Sequence, residues 1–246
     1  MKLQIEIVYE DDDLVVVNKP ANLLTIPDRF SPDKPNLYHM LGNEFGKIFT
    51  VHRLDRETSG ILVFTKTEEA HKELSKQFMD RTVEKIYFAL VEGVMHQQEG
   101  LIDKPLGPHP THPEKMAVVH GGKPSRTNYK VTETFKNFTF IECSIETGRT
   151  HQIRVHLHAI GYPLAVDALY GRQSSFMLSK VKLRRFKLSK FEEEERPLMS
   201  RTTLHAGKLV FNHPTTGERM TIQADLPKDF GAVINQLRKW GKGIEN

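Results

Sequence analysis

The sequence predicts an α/β (α+β) protein built on a mixed, largely antiparallel β-sheet with flanking helices. Three observations carry that expectation. Short alternating or apolar segments recur along the chain, as in QIEIVYE and LVVVN near its start. Many of them are joined by turns too short to hold a crossover helix. Helical periodicity is confined to a few separate stretches, so strands and helices intersperse without the regular alternation of a doubly wound sheet.

Residues 4–18 alternate and then run apolar, which predicts two strands around the acidic turn Asp11 to Asp13. A loop rich in Pro and Asp (19–36) leads to a helix near Leu37 to Glu44, and then to VHRLDRETSGILVFTKT, a polar loop feeding an apolar strand. Over 68–80, Ala70, Leu74 and Phe78 stand four apart behind glutamates in the first turn, the pattern of an amphipathic helix with its dipole complemented. Strands are expected in EKIYFALVEG and at 101–106, 125–135 and 138–146, the last two joined at Lys136-Asn137. Gly148 breaks the pattern before a helix from about Thr150. Strands near 203–211 and 218–224 flank a turn at Thr216-Gly217, and a terminal helix starts at about Asp229.

The length of 246 residues and a hydrophobic content of 38% suit one α/β domain over 1–246, with room for two lobes. The clearest shift in composition is 172–200, where Lys180, Lys182, Arg184, Arg185, Lys187 and Lys190 are followed by Glu192 to Glu195. It reads as a charged insertion between core elements. It is either a basic arm for a phosphate backbone or a solvated segment whose charge blocks neutralise each other. A formal charge of +4 permits a polyanionic partner without demanding one. The acidic start does not resemble a secretory signal, and no apolar run reaches membrane-spanning length. A single cysteine, Cys143, excludes an internal disulfide and reads as a buried strand thiol. Cytoplasmic residence is the expectation.

Candidate chemistry concentrates in three places. In HRLDRETSG, Asp55 is flanked by Arg53 and Arg56; cations beside a carboxylate keep it ionised, and an ionised aspartate can act as nucleophile or base. Taken alone, the residues favour a plainer reading, a surface loop in which Asp55 caps a turn or pairs with an arginine. In TGRTHQIRVHLHAIG, a helix starting near Thr150 would put His151, Arg154 and His158 on one face and Ile153, Leu157 and Ile160 on another, for a site or merely for a basic exposed face. Tyr87 alternates with Ile86 and Phe88 and so projects to the opposite face of its strand, either as packing or as a ring for a flipped-out base. A metal site is not expected. His151 and His156 diverge on a helix, the segment holds no acidic ligand, and only His109 and His112 stand elsewhere as candidates.

These segments resemble, in order and over nearly the whole chain, the RluA-type family of pseudouridine synthases. NKPANLLT (18–25), HRLDRETSG (52–60), KIYFALVEG (85–93), GRTHQIRVHL (148–157) and LHAGKLVFNHP (204–214) carry the likeness. The resemblance implies the pseudouridine synthase catalytic fold and an isomerase that turns particular uridines of structured rRNA or tRNA into pseudouridine, with no cofactor, no metal and no obligate protein partner. It implies Asp55 as the nucleophile, attacking uracil ring or sugar. Arg154 would pair with it, Arg149 being second choice, and Tyr87 would stack on the base and assist the last deprotonation. Arg53 would fill the space that the base leaves or hold the backbone. His52, Lys19, Arg149 and His151 join it as candidate RNA contacts. The chain starts at the catalytic fold, so a short form without the small N-terminal RNA-binding domain is expected. NLLTIPDR and GGKPSRTNYKV look most like a branch acting on ribosomal RNA and anticodon stem-loops.

Departures from the family pattern are few. Asn22 stands where glycine is usual, and Tyr162 and Val166 where His and Gly are more common. Asn is the next best choice for a left-handed backbone. Two rivals remain: a structured-RNA-binding protein without catalysis, which leaves the Asp and Arg motifs together without a purpose, and a metal-dependent hydrolase, which needs a ligand set.

Overall fold

The computed structural model describes residues 5–188 and 193–241. Gln4, Lys190 and Glu192, named above, lie outside the described residues. The strands are β1 (Glu6–Glu10), β2 (Leu14–Lys19), β3 (Phe49–Thr50), β4 (Ser59–Thr65), β5 (Glu84–Glu92), β6 (Glu99–Asp103), β7 (Leu106–Pro108), β8 (Met116–Val118), β9 (Arg126–Thr134), β10 (Phe138–Ile145), β11 (Leu204–Asn212) and β12 (Arg219–Gln223). The helices are α1 (Leu37–Phe45), α2 (Glu68–Met79), α3 (Gln152–Ala159), the single turn α4 (Ser179–Lys182) and α5 (Lys228–Trp240). The chain divides into two compact units: Met1–Tyr87 with His205–Asp225, and Phe88–Leu204 with Leu226–Asn246. The sheets are mixed and mostly antiparallel, with helices flanking them, as the sequence predicts.

In the first unit the apolar run of β2 is buried on both faces, which explains why its residues do not alternate. It pairs antiparallel with β1 and with β4, Val17 facing Leu62. The mixed character comes from β11, which runs parallel to β4 with His205 opposite Ser59 and Ala206 opposite Gly60, while β12 returns antiparallel along β11. Helix α2 starts where its side chains say it should: the Thr67 hydroxyl accepts from the Ala70 N–H at 3.2 Å, and Glu68 and Glu69 occupy the first turn. It adds Leu74 to a core of Leu14, Val16, Ile61, Val63, Val83, Leu209 and Phe211.

In the second unit β6, β9 and β10 form an antiparallel run, and Lys136-Asn137 joins β9 to β10. Phe138 and Phe140 of β10 pack with Phe230, Val233, Ile234 and Leu237 of α5, whose apolar residues recur at helical spacing. The segment 172–200 contributes to this core through Phe176, Val181 and Met199, so only part of it is a solvated excursion. Phe176 and Met199 bridge its neck, with the Phe176 N–H donating to the Met199 carbonyl at 2.7 Å. No local pattern predicts the β7/β8 hairpin, whose Leu-Gly-Pro strand carries no alternation to read. Cys143 is the buried strand thiol expected, and burial pushes its pKa up.

Candidate active site

The loop that carries Asp55 precedes β4, and two residues of the segment 18–25 hold it from either side. Thr25 Oγ1 donates to the Leu54 carbonyl at 2.9 Å and accepts from the Leu54 N–H at 3.2 Å. The Lys19 ammonium donates to the carbonyls of Arg56 at 3.1 Å, Leu23 at 2.8 Å and Pro20 at 3.0 Å. Asp55, between these anchors, is half-buried, and its carbonyl accepts from the Thr58 N–H at 3.1 Å to close a turn. Arg53 and Arg56 on either side are exposed. The residue types alone allow Asp55 to be a turn former or a functional carboxylate; here its backbone forms the turn, and the turn fixes where the carboxylate stands.

Lys19 departs from expectation. It is fully buried and its three ammonium hydrogens meet three carbonyls, so it is an anchor of the Asp55 loop and not a phosphate contact. Asn22, in the same segment, has φ 63°, the left-handed conformation its place in the pattern implies. His52 also differs from an RNA-contacting cation. Its Nε2 accepts from the Val63 N–H at 3.2 Å, its ring stacks on Phe78 at 4.7 Å, and burial, with the Lys85 ammonium nearby, pulls its pKa down to about 3. It is a neutral ring that braces β4.

Tyr87 lies on the buried face of β5 with Lys85 and Ala89, while Ile86 and Phe88 are half-buried, as the alternation predicts. Burial first, and then the negative charge of Asp55, raise the phenol's pKa, which keeps it protonated at neutral pH.

In the second unit α3 begins at Gln152. His151 precedes it as the N-cap with φ 55°, outside the helix that carries Arg154. Its Nδ1 lies 2.8 Å from the Tyr170 hydroxyl. Gln152 holds the entry to the helix: its Oε1 accepts from the Arg149 N–H at 3.0 Å and the Thr147 hydroxyl at 2.8 Å. Arg154 is buried and bidentate on Asp167, Nε to Oδ2 at 2.7 Å and Nη2 to Oδ1 at 2.8 Å, with the Tyr170 ring under its guanidinium at 5.1 Å. Burial pushes the Asp167 carboxyl up, but the Arg154 hydrogen bonds and charge and the amides of Tyr170 and Leu169 outweigh it and hold the pKa below the usual value. His156 is a core histidine bonded to Thr127 and the Lys104 carbonyl, and His158 is exposed. His109 and His112 meet edge to face, and among the described residues no three His, Cys, Asp or Glu side chains gather as a ligand set.

The family model for RNA pseudouridylate synthase matches residues 13–159, a stretch that contains the clamped Asp55 loop, Tyr87 and Arg154. The chain belongs to this family. It is 39% identical over 241 residues to ribosomal large subunit pseudouridine synthase D of Nitrosomonas europaea, covering 96% of this chain and 66% of that protein. It is 39% identical over 242 residues to the protein of the same name from Neisseria meningitidis serogroup B, covering 96% and 62%. The chain thus spans somewhat less than two thirds of the length of these two relatives. Among solved structures, human RNA pseudouridylate synthase domain containing 4 superposes with a TM-score of 0.71 at 24% identity, covering 95% of this chain and 93% of that one, a likeness of fold.

Within the pseudouridylate synthase fold, two groups escape sequence reasoning. Asp167 and Tyr170 lie in GYPLAVDALYG, a segment that stands out in the sequence only for its departures at Tyr162 and Val166. A carboxylate inside an otherwise apolar run is the available signal, since a buried charge requires a partner. Ser59 Oγ lies 2.9 Å from His205 Nδ1, a buried polar pair between β4 and β11 that no local pattern announces.

Proposed function

We propose that this chain isomerises uridine to pseudouridine in structured RNA, with Asp55 as the nucleophile. The observation that carries the reading is the family match across 13–159, whose Asp55 sits in a loop clamped by Thr25 and Lys19. A half-buried carboxylate on an anchored turn is pre-organised for attack, because the loop need not be ordered in the transition state. The target must first leave the stack, at a cost of about a few kcal/mol, which favours loops and stem-loops over continuous helix. Asp55 then adds to the uracil ring or the sugar. The bond from N1 to the ribose breaks, the uracil turns and carbon 5 bonds to the ribose; the bond to Asp55 then breaks to regenerate the carboxylate, and the proton that leaves carbon 5 is balanced by one gained at N1. Atoms and electrons balance within the nucleotide, so the reaction calls for no external reactant.

In this reading Arg154 is the cation serving the nucleophile and Tyr87 the ring against the base, protonated as burial dictates and able to receive a contact from uracil on its face. Arg53, Arg149 and His151 are the RNA contacts. The names of the relatives, ribosomal large subunit pseudouridine synthase D, favour ribosomal RNA as substrate; tRNA is the second choice and cytoplasmic residence goes with either. Residues 1–246 would act as one catalytic domain. The test is tritium release from RNA labelled at carbon 5 of uridine, using bulk rRNA and tRNA, with wild type against Asp55→Ala. Release by the wild type alone is expected. A folded wild type that releases none from any pool overturns the reading.

A further inference from the structure

We propose that the second unit carries a phosphate-backbone groove, built from none of the residues of the Asp55 loop, that grips the RNA substrate beyond the reacting uridine. The inference rests on the RNA reading above and extends it. A groove of about 1000 Å³ is lined by cations from three stretches of chain: Lys136 in the β9–β10 turn, Lys180, Lys182, Arg184 and Arg185 from the 172–200 segment, and Lys239 at the end of α5. Among the described residues no carboxylate lines it.

Like charges drawn together from distant parts of a sequence oppose folding unless something compensates them. Here compensation is slight: Lys180 feels the charge of Glu92, but among the described residues none of these six cations forms an ion pair within 4.0 Å. Among the described residues of the acidic block that follows the basic run, none pairs with these cations. Glu195 instead accepts the Ser179 N–H at 2.8 Å at the start of α4, and among the described residues Glu193 and Glu194 form no ion pair. Complementing the dipole of α5 accounts for Lys239 alone.

The groove also has an aromatic floor. Lys182 and Lys239 each lie 5.3 Å from the centre of the Trp240 ring. Cation–π attraction holds two flexible ammonium groups in place without neutralising them. The result is a fixed, concave array of positive charge. That suits a ribose-phosphate backbone, whose charges repeat along a line, and exposed Arg184 and Arg185 extend it as forks that match phosphate geometry. The neck at Phe176 and Met199 and the buried Val181 anchor the basic segment to the core, so the array need not be ordered on binding.

Trp240 is the one tryptophan of the chain, so intrinsic fluorescence reports on this groove alone. The experiment titrates an unlabelled stem-loop RNA against the full chain and follows Trp240 emission. In parallel, anisotropy of an end-labelled copy measures total binding over a range of salt, for the wild type and for Arg184→Ala/Arg185→Ala. A saturable, salt-sensitive Trp240 response is expected. The double variant should bind several-fold more weakly, with a log–log salt slope shallower by about one unit for each phosphate that is no longer neutralised. RNA that binds or is isomerised with Trp240 silent, or a double variant that binds like the wild type, overturns the groove and leaves the RNA reading intact. Absence of both RNA binding and tritium release removes the two together. A Trp240 response to phosphatidylserine vesicles and not to RNA likewise overturns it, assigning the groove to a membrane surface.

Discussion

Asp167 sets the plane of the Arg154 guanidinium through two parallel hydrogen bonds in a buried site, and the two residues are best judged as a unit. Replacing it as Asp167→Asn is expected to cost about 3 kcal/mol, because a buried arginine loses a bidentate, charged partner. The cost should depend on pH with a definite sign. The folded-state pKa of Asp167 is depressed, so its contribution is present above the ordinary aspartate value and lost as pH falls through the folded one. Urea midpoints of wild type and variant should therefore differ at neutral pH and converge below about pH 4. Lys19 makes the second prediction. Lys19→Met leaves three carbonyls without their donor, at about 1–3 kcal/mol, and loosens the Asp55 loop. Turnover should fall more than KM rises; the reverse split would identify a phosphate-binding role instead.

Elements in this protein end and pair where particular backbone groups require it. Gly60 closes the HRLDRETSG motif at φ 119°, and a Cβ there would overlap the Ala206 carbonyl oxygen, at the point where β4 and β11 run parallel. Gly60→Ala is expected to destabilise by more than about 4 kcal/mol, read as loss of soluble, cooperatively unfolding protein. Thr67→Ala offers the contrast. It removes one cap from α2 and should lower stability by about 1 kcal/mol while leaving tritium release unchanged. The elements with a strong local signature are legible in sequence: α2 and α5 through spacing and end charges, β2 through its apolar run, the β11–β12 turn through Thr216-Gly217. The β7/β8 hairpin is not, because three-residue strands hold too little pattern to read.

At the scale of the molecule, the 172–200 segment belongs to the second unit, and Phe176 and Met199 bridge its neck. Excising 177–198 in favour of a short Gly-Ser link is expected to leave a folded protein, weakened by about 1.5–3 kcal/mol because the burial of Val181 is forfeited. Circular dichroism and urea unfolding would check this, and non-cooperative unfolding would show the segment to be integral. By itself the sequence determined which family the chain belongs to, which aspartate is the candidate nucleophile, and most of the order of strands and helices. Those properties reside in residue type and short-range spacing, which survive in a linear string. Tertiary structure alone decided that Lys19 faces inward, that His52 is a neutral brace, that Arg154 is held by Asp167, and that Lys136, Arg184 and Lys239 line one groove. Burial and charge pairing are set by residues distant in sequence, so the role of a cation follows from what surrounds it and not from the motif in which it is written.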